Sequence, residues 1–369
     1  ATPPTFTIQY YSDSSLTTAL ADNPRLKVGT YYIKITSNEL LSGTPTISIA
    51  AEGTANDVTS AATTLVSGND YKYTRVIATD AAAVGSVIEN ISITGTDIES
   101  NTSTNVDPTN EATKAAYTDT KLPTAPGTPT SPQGPLINAA EETAGVTVNV
   151  PLGTSGAVAG DTLRLLRGGA NFTSPLTHVL IAADITATTY GFTVATGQLA
   201  PGANLVTARV EDAAGNTGAA STALSLTKDI VAPTATSTPT SPQGPLINAA
   251  EETAGVTVNI PLGSSGAVAG DTLRLLRGGA NFTAPLTHVL IAADITATTY
   301  GFTVTTGQLA AGANSVTARV EDAAGNTGAA SAALSLTVDT TIPTAPGTPT
   351  SPQGPLINAA EETAGVTVN

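Results

Sequence analysis

The chain has no cysteine, no methionine and no tryptophan, and aromatic residues make up only 4% of it. Without cysteine there is no disulfide framework, no thiolate metal site and no thiol nucleophile, so the chain is indifferent to redox compartment. Positive charge is also scarce. Lys plus Arg number 14 against 29 Asp plus Glu, a net charge of −15, which argues against nucleic acid and anionic membrane as partners and makes divalent cations the natural counter-charge. No run of eighteen apolar residues exists. The most apolar window, 176–185, is interrupted by His178 and Asp184. The chain opens on Ala1, as expected of a processed chain or a cut from a longer one.

What is present is glycine (34), proline (24), and much threonine, valine and alanine, a composition of short strands punctuated by turns. It is also repeated. Residues 131–229 recur at 241–339 with eight differences: Val150/Ile260, Thr154/Ser264, Ser174/Ala284, Ala195/Thr305, Pro201/Ala311, Leu205/Ser315, Thr222/Ala332 and Lys228/Val338. The opening recurs once more at 351–369. A fixed register of 110 residues makes this a tandem array. An enzyme rarely needs its site copied along one chain, whereas a spacer or a multivalent surface gains reach or avidity with each copy.

Boundaries fall at Asp-x-x-x-Pro, namely Asp119–Pro123, Asp229–Pro233 and Asp339–Pro343, each followed by a Pro/Thr/Ser stretch expected to be linker and edge strand. The expected units are a diverged N-terminal domain (1–119), two full repeats (120–229 and 230–339) and the first two strands of a further repeat (340–369). Proline restricts itself and its predecessor, so the junctions are expected to be stiff.

Within a repeat the apolar residues alternate with period two: Val146, Val148 and Val150; Leu163 and Leu165; Val179 and Ile181; Phe192 and Val194; Val206, Ala208 and Val210; Leu224 and Leu226. With a short first strand at Leu136–Ile137, this gives about seven strands, the pattern of an all-β, Ig-like sandwich. Leu205 becomes Ser315 at a position assigned to solvent, while inward Val150 changes only to Ile260. The stretch Leu199-Ala-Pro-Gly-Ala-Asn-Leu-Val resembles the turn into strand F of fibronectin-III and related sandwiches, with Leu205 where a Tyr often sits, so no tyrosine corner is expected. In the first 119 residues, 6–11, 29–36, 46–50, 71–77 and 88–94 alternate likewise, and Asp97 and Asn101 match Asp212 and Asn216, and Asp322 and Asn326.

Three segments together, Ile137-Asn-Ala-Ala-Glu-Glu-Thr-Ala-Gly-Val-Thr, Val210-Glu-Asp-Ala-Ala-Gly-Asn-Thr and Val338-Asp-Thr-Thr-Ile-Pro-Thr-Ala-Pro, resemble the bacterial Ig-like tandem repeats of large cell-surface adhesins and biofilm-associated proteins. The resemblance implies an extended extracellular stalk, often stiffened by calcium at domain junctions. A fold of this kind is shared by many functions, so it does not name a ligand.

Ig-like geometry is expected to bring Asn138 and Glu141 of one repeat, linker Asp229, and Asp322 and Asn326 of the next to one junction. Asp119, Asp212 and Asn216 form the equivalent set before it, and Asn248, Glu251 and Asp339 the set after it. Such hard oxygen donors suit Ca²⁺. The alternative is that Asp-x-x-Gly-Asn is an ordinary turn, with Asp bonding backbone amides and Gly supplying positive φ.

His178 and His288 stand alone, Ser174 is replaced by Ala284, and no nucleophile elbow is present, so catalysis is not expected. Glu141-Glu142 and Glu211-Asp212 are neighbours in sequence and imply no cleft with two facing carboxylates. An intramolecular isopeptide bond needs a buried lysine in every domain, and Lys228 becomes Val338; Lys34 is expected to be a surface residue. Tyr10, Tyr11, Tyr31, Tyr32, Tyr71 and Tyr73 cluster in the N-terminal domain, where about half should be core.

The reading is a non-catalytic stalk of an extracellular surface adhesin. Two alternatives stand beside it: a subunit of a self-assembling filament or surface layer that uses strand complementation, and a carbohydrate-binding module in residues 1–119. Neighbouring copies of the chain and a surface or glycan ligand are the expected partners.

Overall fold

The computed structural model describes residues 2–51, 53–80, 85–103 and 116–369. Among the described residues it is built of β-strands with five short helices, α1 (Ala139–Ala144), α2 (Ala182–Ala187), α3 (Ala249–Ala254), α4 (Ala292–Ala297) and α5 (Ala359–Ala364). The chain divides into two compact units, Ala1–Ile230 and Val231–Asn369.

In the first full repeat, five strands lie in the order Leu136–Ile137, Leu224–Lys228, Gly202–Glu211, Thr162–Arg167, Ala170–Val179. Leu136–Ile137 runs parallel to Leu224–Lys228, and the other pairs are antiparallel. Facing them is the antiparallel pair Val146–Pro151 and Thr189–Val194, which Thr130 extends by a bridge to Asn149. Because alternate residues of a strand share a face, Val146, Val148 and Val150 enter the core with Leu163, Leu165, Phe192, Val206, Ala208, Val210 and Leu226, all at most 5% exposed. The second repeat reproduces this core residue for residue. Ile260 is fully buried and Leu205 is 55% exposed, as their alternation requires.

The sandwich is thus the one expected, except at the third strand. Val179 and Ile181 do not face inward; both are more than half exposed. The strand runs from Ala170 to Val179 and buries Phe172 instead, and a β-bulge between Leu165 and Leu166 shifts its register. Ile181 lies outside the strand as the N-cap of α2. The place of the absent tyrosine corner is taken by buried Asn204, whose amide donates to Ala200 O and Gly202 O while its oxygen accepts from Ala200 N.

Segment 1–119 packs two four-stranded sheets around its own core of Phe6, Ile8, Tyr10, Ile33, Ile35, Ile47, Ile49, Tyr71, Ile91 and Ile93. A third, small sheet carries Arg25–Leu26 parallel to Tyr117–Thr118. That parallel pair is the counterpart of Leu136–Ile137 on Leu224–Lys228. In each case the Asp that follows the last strand donates its amide to the second residue of the short strand: Asp119 to Leu26, Asp229 to Ile137 and Asp339 to Ile247. This sets Leu26, Ile137 and Ile247 in equivalence, all at most 1% exposed.

The stretch 340–369, expected to form two strands, contains no strand; it holds α5 and a reciprocal pair of bonds between Thr350 and Asn369. The reason is the missing partners. In a full repeat, Val146–Pro151 pairs with Thr189–Val194 and Leu136–Ile137 with Leu224–Lys228, and 340–369 contains no counterpart of either partner strand. Leu356 and Val368 are accordingly 86% and 66% exposed.

Candidate functional site

The junction between segment 1–119 and the first full repeat is formed by three pieces of chain: the Asp119–Pro123 linker, the turn 212–216 and the short strand Arg25–Leu26 with Lys27 after it. The linker proper is very short. Already at Thr124 the chain docks on the repeat, with Thr124 N donating to Ser155 O at 3.1 Å and Gly127 N to Pro151 O at 2.9 Å. The Pro123 carbonyl oxygen lies over Gly218, 2.4 Å from where a Cβ would stand.

The turn 212–216 is organised from within. Asp212 Oδ1 accepts from Ala214 N and Asn216 N at 2.9 and 2.8 Å, and its Oδ2 accepts from Asn216 Nδ2 at 2.9 Å. Gly215 supplies φ of 86°. Asn216 Nδ2 also reaches across to the main-chain oxygen of Asp119 at 2.8 Å, while Asp119 Oδ1 accepts from Lys121 N at 3.1 Å. From segment 1–119, the ammonium of Lys27 donates to Gly215 O at 3.0 Å. Beside it a cleft of about 570 Å³ is lined by Arg25, Ser86, Asp119, Lys121, Asp161 and Asp212. Asp161 is 4% exposed and accepts from Val158 N at 2.9 Å. Burial first, and then the Asp212 charge, raise its pKa, partly offset by the bond from Val158 N and the Arg25 charge.

Asp119, Asp212 and Asn216 are therefore brought together, as the sequence led one to expect. As arranged, they do not fit calcium, which takes six to eight oxygens. Asn216 turns its nitrogen, not its oxygen, toward both Asp212 and Asp119, and a lysine ammonium already sits on the turn. Among the described residues, no three His, Cys, Asp or Glu side chains gather closely enough to hold a metal ion.

The other expected ligands sit in turns and caps. Asn138 caps α1, its Oδ1 accepting from Glu141 N at 3.0 Å while Glu141 Oε2 accepts from Asn138 N at 3.1 Å. Asn248 and Glu251 repeat that box on α3. Asp322 accepts from Asn326 N and Nδ2, both at 2.8 Å, as Asp212 does from Asn216. Asp339 Oδ1 accepts from Thr341 N at 3.0 Å, and the Asp229 amide is bonded to Ile137 O. Asp97 and Asn101 in segment 1–119 make the same turn, with Asp97 accepting from Asn101 N and Nδ2 at 2.8 Å.

His178 stacks on Tyr190 with ring centroids 3.9 Å apart and bonds Asp184 at 2.8 Å, an arrangement copied by His288, Tyr300 and Asp294. Buried Ser155 donates to Leu152 O at 2.6 Å. Lys34 pairs with Asp70 at 2.8 Å at the surface. Of the six N-terminal tyrosines, Tyr10 and Tyr71 are buried and the other four partly so.

Sequence reasoning missed Arg25, Lys27 and Asp161. Asp161 carries a faint signal, a charged residue between Gly160 and the strand beginning at Thr162. Lys27 carries none, because its strand is two residues long.

No protein-family profile matches the sequence, and no curated protein matches it. Among solved structures, the chain is similar to a Ca²⁺-stabilized adhesin with which an Antarctic bacterium binds ice, at 21% identity and a TM-score of 0.43 over 98% of this chain and 79% of that one. It is also similar to a structure from a 1.5-MDa bacterial ice-binding adhesin, at 20% identity and TM-score 0.34 over 92% and 99% of the two chains. A tetra-tandem repeat from the extending region of a large adhesion protein follows at 17%, 0.26, 90% and 74%. The first two are structures of bacterial adhesins.

Proposed function

We propose that this chain is a non-catalytic stalk segment of an extracellular bacterial surface adhesin, in which units with boundaries near 119, 229 and 339 are strung into a rod. The observation that carries this reading is the reuse of one linker-to-repeat joint. Thr234 N donates to Ser265 O at 2.9 Å as Thr124 N does to Ser155 O, and the Pro233 oxygen lies over Gly328 as the Pro123 oxygen lies over Gly218. These two contacts recur although the linker changes at Thr120/Ile230, Lys121/Val231, Leu122/Ala232, Pro126/Thr236 and Gly127/Ser237, which suits a part whose task is to set spacing. Calcium, in this reading, acts at the Asp229 and Asp339 linkers, beside Asn138 with Glu141 and Asn248 with Glu251, where oxygen donors are present and an amide, Asn138 or Asn248, stands in the place of Lys27.

Small-angle scattering and thermal melting of the whole chain, in calcium and then in chelator, test it. The expected result is a longer particle and a higher melting temperature in calcium, with the difference reduced in Asp229→Ala. Superimposable curves would remove calcium from the reading and leave the prolines to set the joint. Fibres seen by electron microscopy in pure protein would replace the stalk with the filament reading.

A further inference from the structure

We infer that Lys27, assisted by Arg25, is the resident cation of the first junction, so that this joint is closed by protein charge and needs no metal. The inference rests on the stalk reading for its biological sense, but its evidence is separate. The equivalence set by the amide bonds of Asp119, Asp229 and Asp339 to Leu26, Ile137 and Ile247 places Arg25 where Leu136 and Leu246 stand, and Lys27 where Asn138 and Asn248 stand. Segment 1–119 therefore carries two positive charges where each full repeat carries an aliphatic residue and an amide. Those charges are used. Lys27 Nζ holds Gly215 O at 3.0 Å in the turn of the following repeat. Arg25 donates to Ser86 Oγ at 2.9 Å, lines the cleft with Asp161 and Asp212, and its field opposes the rise in the Asp161 pKa.

The electrostatics favour this division. Asp119, Asp161 and Asp212 line one cleft with Arg25 and Lys121, and like charges so gathered in a chain of net charge −15 repel unless cations offset them. An ammonium bonded to a carbonyl of the turn supplies one without displacing the Asn216 amide from Asp119 and Asp212. A calcium ion would have to turn that amide round and push the ammonium away. Both cations are on exposed residues, so their loss loosens the joint rather than unfolding either neighbour.

The chain has no cysteine, which lets two introduced thiols carry spin labels in the full-length protein. One pair, Thr64→Cys with Ser174→Cys, spans the first junction; a second, Ser174→Cys with Ala284→Cys, spans the Asp229 linker. Across the first junction the expected distance distribution is narrow and identical in calcium and in chelator. Arg25→Leu with Lys27→Asn, which writes the repeat's own residues into this place, is expected to broaden it in chelator, whereas Lys27→Arg keeps it narrow. A wild-type distribution that broadens in chelator, or a double variant that stays narrow there, overturns the inference. The second pair reports separately: if it ignores calcium, the calcium part of the proposed function fails, and the assignment of Lys27 stands or falls on the first pair alone.

Discussion

Lys228 Nζ lies 2.8 Å from Glu142 Oε1 in the first full repeat, both side chains being under a tenth exposed, and in the second repeat the lysine is Val338, 6% exposed in the core. Two nearly identical sequences thus carry an ion pair and a hydrophobe at one site. Removing one partner of a buried pair strands the other, but in the second repeat Glu252, without the lysine, is only partly buried and still accepts from Gly307 N at 2.7 Å. Lys228→Val is expected to leave the melting temperature within a few degrees. Glu142→Ala strands the ammonium and removes the acceptor of Gly197 N, and is expected to lower the melting of that repeat by roughly 5–10 °C. Calorimetry of the two variants checks the contrast, and equal losses would contradict it.

The same carboxylate gives the first repeat an acid limb. Glu142 has its pKa lowered, first by the bond from Gly197 N and then by Lys228. A group depressed on folding contributes above its unfolded pKa, ordinarily 4.5 for Glu, and loses that contribution as pH falls through the folded value. Asp13 offers a local test of that sign. Its pKa is held at about 2, chiefly by the bond from Thr18 N, with Thr17 adding to it. The Thr17 and Thr18 amide resonances are therefore expected to stay constant from neutral pH to about 4 and to titrate together with a midpoint of about 2. A midpoint at the ordinary carboxylate value would contradict the contacts.

Strand register was legible because side chains alternate, and alternation survives even where sequence identity between segments is lost: Tyr71, Ile77, Ile91 and Ile93 are buried as their phase requires. The same phase also places Arg75 inward with Tyr71 and Ile77, a signal that was present but counter to expectation for a charged residue. What alternation does not carry is pairing between distant short segments. The equivalence of Lys27 with Asn138 rests on two-residue parallel strands. The Asn138–Glu141 spacing, read as a ligand pair, is also a capping-box signature, and the cap is where these groups bond.

Arg75 is 1% exposed and Glu89 is 1% exposed. The guanidinium meets Glu89 Oε1 at 2.6 Å and donates to Asn56 O at 2.7 Å, while Tyr10 and Thr118 donate to the same carboxylate at 2.5 and 2.7 Å. Thr118 adjoins Asp119, so this network ties the junction strand to the core of segment 1–119. Burial, and then the Glu89 charge, raise the Tyr10 pKa, keeping its hydroxyl a donor. Glu89→Ala would leave the guanidinium without its counter-charge and is expected to cost about 3–5 kcal/mol. Arg75→Met with Glu89→Leu is expected to cost less than that single change, because no charge is then left buried. Denaturant unfolding followed by tyrosine fluorescence measures both; a double variant less stable than Glu89→Ala would refute the ordering.

Gly218 and Gly328 have no unusual φ; their requirement is space. A Cβ on Gly218 would stand 2.4 Å from Pro123 O, and on Gly328 2.5 Å from Pro233 O. Backbone on both sides leaves no flexible side chain to yield, so an added methyl must lift the linker from the repeat or shift the strand end beneath it. Gly218→Ala is expected to weaken the Thr124 N to Ser155 O bond and to speed hydrogen exchange at Thr124 and Gly127 several-fold, while Val206, Ala208 and Val210 in the core keep their protection. Gly328→Ala is expected to do the same at Thr234. Mass-spectrometric exchange on the full chain distinguishes this from general destabilisation. Loss of protection spread over the core strands would mean that glycine serves the fold of the repeat, and protection unchanged at Thr124 would mean that the linker is not held by this contact.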